Sequence, residues 1–77
     1  MNDNYEVVTA LKFDLELSLN GPIPALVNKK AAALLKSIAD RLEKGEFEEG
    51  SEFVEVNDEN GNQVGEIFVD YADLITR

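Results

Sequence analysis

Carboxylates are the chemistry this chain has in quantity. It holds 16 Asp and Glu against 7 Lys and Arg, with no histidine and no cysteine. Without thiolate or imidazole, the common structural and catalytic zinc sites have no ligands. Cys–His and Ser–His–Asp catalysis are excluded for the same reason. A lysine or carboxylate mechanism needs a defined pair, and no spacing points to one, so the chain reads as a non-enzyme without a cofactor. Asp58-x-Asn60-x-Asn62 has the start of a calcium loop, but the sixth and twelfth positions hold Gln63 and Val69 where glycine and glutamate are required. It reads as a hairpin turn. Glu46, Glu48, Glu49 and Glu52 could hold a hard cation only loosely, and Lys29-Lys30 near a helix start is a weak anion contact.

The elements that position these residues follow from periodicity. Residues 5–19 alternate, with Tyr5, Val7, Thr9, Leu11, Phe13, Leu15, Leu17 and Leu19 on one face and Glu6, Val8, Ala10, Lys12, Asp14, Glu16 and Ser18 on the other. That is a strand pattern. Fifteen extended residues span about 50 Å, whereas a compact chain of this size has a radius of gyration of about 11–12 Å. The strand must bend, split or project; a break near Thr9 and Ala10 is expected, or an arm that pairs with a second copy. Asn20-Gly21-Pro22 ends it. Pro24 suits a first helical turn, and from residue 25 to 44 the apolar stripe Val27, Ala31, Leu34, Leu35, Ile38 and Leu42 marks an amphipathic helix closed by Gly45.

Two β-rich runs follow within residues 52–71, around Asn60-Gly61, the strongest short hairpin signal. With those two as loop residues, Val54 pairs with Ile67, Phe53 with Phe68 and Glu55 with Glu66. Val54, Val56, Ile67 and Val69 then share the face a helix would cover. Residues 71–77 fit either a strand or a helical turn. The whole is one α+β domain over residues 1–77, a small antiparallel sheet in the order β-α-β-β with one helix packed across it.

Charge is uneven along the chain. Residues 1–20 carry −3, residues 21–44 carry +3, and residues 45–77 carry −9. An acidic surface serves solubility, but like charges opposed across a hairpin destabilise by a few tenths to about 1 kcal/mol. A surface that tolerates this gains from a cationic partner, whose approach it also steers. Glu46, Glu48, Glu49, Glu52, Phe53, Glu55, Asp58, Glu59, Glu66, Phe68 and Asp70 are therefore the expected partner-binding residues, with the Phe53–Phe68 pair as the centre. The expected partner is a basic protein surface. Direct nucleic-acid binding is disfavoured by charge. The polar, acidic N-terminus is unlike a signal peptide, and the longest apolar run, residues 31–35, is far too short for a membrane span. A cytoplasmic location is expected. A homodimer through the long first strand and a small-molecule sponge are the alternatives.

The stretch Leu34-Leu35-Lys36-Ser37-Ile38-Ala39-Asp40-Arg41-Leu42-Glu43-Lys44-Gly45-Glu46, followed by Asn57-Asp58-Glu59-Asn60-Gly61-Asn62-Gln63-Val64-Gly65, resembles short uncharacterised acidic phage and prophage proteins. The likeness covers about half of the chain, from the helix onward, and omits the first strand. It implies a viral or mobile-element origin rather than an activity. Small acidic phage proteins often occlude the nucleic-acid site of a host defence protein, as anti-CRISPR and DNA-mimic proteins do, and an inhibitor of that kind is the expected role.

Overall fold

The computed structural model describes residues 6–47 and 50–76. Strand β1 (Glu6–Leu17) is followed by helix α1 (Pro24–Glu43), then by strands β2 (Ser51–Asn57) and β3 (Gln63–Thr76). The expected α+β class and β-α-β-β order are present. All pairing is antiparallel and the sheet order is β1-β3-β2, so the last strand is the central one.

The helix begins where Pro24 supplies a fixed φ and lacks the N–H that would have no partner there. It ends in a Schellman arrangement: Gly45 N–H donates to Leu42 O and Glu46 N–H to Arg41 O, each at 3.1 Å, with Gly45 at φ 78°. Chain direction is thereby reversed and Phe47 is driven beneath the helix end, where it is buried. Leu34, Ile38 and Leu42 pack on the sheet as the stripe predicts. Leu35, expected in that stripe, is instead 46% exposed. At about 100° per residue it lies well off the Leu34–Ile38–Leu42 line, and the sheet below is only three strands wide.

Ile67 and Val69 of the central strand are fully covered, with Ile38, Phe47 and Val56 completing the buried core. Phe13, Leu15, Leu17, Val54 and Tyr71 pack around them from the same sheet face. Phe13 meets Phe47 edge-on, with ring centroids 5.9 Å apart. Gly65 stands opposite Leu17, at the last pair of the β1–β3 ladder. A Cβ there would run into the Glu16 carbonyl oxygen and sit 2.8 Å from Leu17 Cδ2.

Three points about boundaries are decided by the structure. Strand β1 runs unbroken from residue 6 to 17, without the break expected near Thr9 and Ala10, because each of its residues has a partner on β3. Tyr5 lies outside the described residues. The stretch after Tyr71 is strand as far as Thr76, held by the same ladder. Finally, the hairpin loop is not a two-residue Asn60-Gly61 turn. Asp58 N–H donates to Asn62 O and Gly61 N–H to Asp58 O, at 2.9 and 3.0 Å, with Gly61 at φ 83°. Asn60 does not take the positive φ that the tighter turn demands. A register shift at Val56/Asn57 then compensates, so Val54↔Ile67, Phe53↔Phe68 and Glu55↔Glu66 pair as expected.

No helix among the described residues is long and apolar enough to cross a membrane.

Candidate functional site

The helix covers one face of the sheet and leaves the other bare. Strand alternation sends Lys12, Asp14 and Glu16 of β1, Ser51, Phe53 and Glu55 of β2, and Glu66, Phe68 and Asp70 of β3 to that bare face. Register sorts them into rows across the three strands. Glu16, Glu66 and Glu55 form one row; Asp14, Phe68 and Phe53 form the next; Lys12, Asp70 and Ser51 form the third.

The middle row supplies an apolar centre. Phe53 and Phe68 have ring centroids 4.8 Å apart at an interplanar angle of 45°. Phe68 is half-buried between its neighbours, whereas Phe53, on the edge strand, is 68% exposed. An aromatic ring left this open is the informative kind of surface residue. One flanking row is wholly acidic, and the other sets Lys12 beside Asp70. Neighbouring strands lie about 4.8 Å apart, so the three glutamates stand side by side, and Glu66 has a like charge on each side. Among the described residues the salt bridges are Arg41–Glu46 at 3.0 Å and Lys44–Asp40 at 2.9 Å, both at the far end of the helix. None reaches the glutamate row. Asp70 is held by Ser51, whose Oγ donates to its Oδ1 at 2.6 Å.

Not every expected residue joins this face. Glu46 is bound to Arg41, which also lies over the Phe47 ring at 4.9 Å, so its carboxylate faces the helix end and not the bare sheet face. Glu52 alternates onto the helix-covered side with Val54 and Val56. Asp58 is turned inward to its own loop: Oδ1 accepts the amides of Asn60 and Asn62, each at 2.9 Å. The Asn62 amide, helped by that of Asn60 and opposed by desolvation, holds its carboxyl below the ordinary value of 3.8. Glu59 is exposed at the hairpin tip, beyond the rows. Glu48 and Glu49 lie outside the described residues. Phe53, Glu55, Glu66, Phe68 and Asp70 do come together.

Of the acidic members of this face, Asp14 and Glu16 were missed. Their alternation in β1 marked them as polar-face residues, but only the neighbour relation of β1 and β3 brings them beside Phe68 and Glu66.

Chemically the face can bind but has little to enclose a ligand with. A shallow depression of about 200 Å³ lies among Asp14, Leu15, Glu16, Glu66 and Phe68, smaller than the roughly 300–1,000 Å³ of small-molecule sites. That weighs against this depression as a small-molecule site. The described residues hold no group of three acidic side chains placed to bind a metal ion.

Comparison with protein-family models, with curated proteins and with solved structures found no match to this chain.

Proposed function

We propose that this chain is a non-enzymatic interaction protein whose bare sheet face docks on a basic protein surface. The observation that carries the reading is the row Glu16–Glu66–Glu55 beside the exposed Phe53–Phe68 pair. The row concentrates like charge at a cost to the fold, and the neighbouring aromatic pair gives a partner something to bury. An apolar centre with a charged rim is the anatomy of a docking face. A line of carboxylates at strand spacing suits cationic side chains that otherwise hold phosphate. The role that follows is an inhibitor covering a nucleic-acid-binding surface of another protein, a role in keeping with the resemblance to short acidic phage and prophage proteins.

The test compares the native chain with Glu16→Lys, Glu55→Lys and Glu66→Lys combined, after circular dichroism has established that both are folded. Immobilised native chain should retain basic proteins from a bacterial lysate at low salt and release them as salt rises, because screening shortens the reach of these charges to about 8 Å at physiological ionic strength. The triple variant should retain none of them. Equal retention by both chains would sink the reading.

A further inference from the structure

The chain is far longer than its size requires. Its radius of gyration is 17.0 Å and its extents are 65 × 21 × 18 Å, against about 11–12 Å for a compact domain of this length. The excess is an arm. Strand β2 begins at Ser51, opposite Asp70, while β1 and β3 run on together as a two-stranded ribbon, residues 6–11 against residues 71–76. A two-stranded ribbon by itself is marginally stable in water. This one is also apolar: Val7, Val8, Leu11 and Leu74 are 64%, 40%, 45% and 49% exposed. In a chain that is 30% charged, Glu6 and Asp73 are the only charged residues of segments 6–11 and 71–76.

Among the described residues the arm also has an open edge. Tyr71 N–H donates to Gly50 O at 2.9 Å on the β2 side. Alternation then points the backbone N–H and C=O of Asp73 and Ile75 to that same side, where no strand of the described residues pairs with them. Unpaired edges of this kind are templates for another strand.

We propose that the arm is a dimerisation element in which the β3 edge of one copy pairs antiparallel with the β3 edge of a second copy. Two observations select a second copy over a foreign chain. An antiparallel pair of identical strands is two-fold symmetric, so one edge satisfies its own twin. Charge also favours a meeting here: the acidic sheet faces of two copies repel, whereas Glu6 and Asp73 are the only charged residues among the arm's twelve. The register that keeps the two Asp73 carboxylates apart pairs Asp73 with Ile75 of the second copy. Leu74 then meets Leu74 across the axis. Val8, already opposite Leu74, extends this into a four-residue apolar row over a four-stranded junction, with the two acidic faces carried away from each other.

Sedimentation equilibrium on the whole chain should show a mass rising with concentration from 8.5 kDa to twice that value. Leu74→Lys sets like charges at the axis and should raise the dissociation constant at least about tenfold, equivalent to 1.4 kcal/mol, with the helical circular dichroism unchanged. The chain has no cysteine, so Leu74→Cys introduces one thiol. The roughly 4.5 Å Cα separation of a non-hydrogen-bonded pair lies within disulfide reach, and mild oxidation should cross-link this variant but not Glu59→Cys at the hairpin tip. In the native chain, the amides of Asp73 and Ile75 should gain hydrogen-exchange protection as concentration rises. A single-chain mass at every concentration, equal cross-linking of the two cysteine variants, or unchanged protection of those amides overturns the proposal. So does a single-chain mass accompanied by binding of the arm to lipid vesicles.

Discussion

Glu66 stands directly opposite Glu55 across the β2–β3 pair, with Glu16 opposite it on the other side. One residue is therefore party to both like-charge contacts of the row. Each such contact costs a few tenths to about 1 kcal/mol. Glu66→Gln should stabilise the fold by about 0.5–1 kcal/mol at low ionic strength, read as a higher urea midpoint. The gain should shrink in high salt, while retention of basic partners weakens. A stability gain that salt leaves untouched would show that the row is not electrostatically strained.

Phe47 and Phe53 separate folding from binding. Phe47 is 1% exposed beneath the helix end and Phe53 is 68% exposed on the bare face. Phe47→Ala should cost about 3–5 kcal/mol, most of what a small domain holds, and leave the chain largely unfolded in circular dichroism. Phe53→Ala should lose about 0.5–1.5 kcal/mol from its pair with Phe68, and partner retention should fall at least tenfold.

Gly65→Ala puts a methyl group into the Glu16 carbonyl, a backbone atom that cannot swing aside. Overpacking of this kind costs about 1–3 kcal/mol. Thermal melts should show a drop at Gly65→Ala, with β1 released first. Amide exchange in residues 12–17 should rise more than in α1. Uniform loss of protection in both elements would show that β1 and the helix come apart together.

Asp58 sets an acid limit on the hairpin. Its folded-state value lies below the ordinary 3.8 because its charged form accepts the Asn62 and Asn60 amides. The sign follows from linkage: the carboxylate's contribution is complete above the unfolded value and is lost as pH falls through the folded one. The native chain should be more stable than Asp58→Asn by a constant margin above about pH 5, and the two curves should converge below about pH 3.8. Denaturation midpoints measured from pH 2 to 7 check this; a margin that persists at pH 2 would assign the effect to shape instead of charge.

Local rules made much of this fold legible. Pro24 and Gly45 mark the helix because one needs no N–H partner and the other accepts a positive φ. The facing of Phe53 with Phe68 followed from the hairpin register, and a different turn reached that register only because the shift at Val56/Asn57 offset it. What local rules could not supply was the neighbour of β1. Alternation assigns Asp14 and Glu16 to a face but says nothing of which strand lies alongside, and that choice decides whether they reach Glu66. The acidic connection was misread for the opposite reason. Composition groups Glu46, Glu52 and Asp58 together, whereas a helix end, a strand face and a turn send them in three directions.

The sheet order also has a consequence in time. Residue 6 is matched with residue 76, and residue 17 with residue 65, so β1 is made first and finds its place last. On a ribosome adding about 5–20 residues per second, the helix can form as soon as it emerges, and the β2–β3 hairpin next. Strand β1 must wait, with its apolar side uncovered, until its distant partner exists. Non-local closure of this kind slows folding relative to helical domains of equal size. During that interval β1 is the segment a nascent-chain chaperone would be expected to hold.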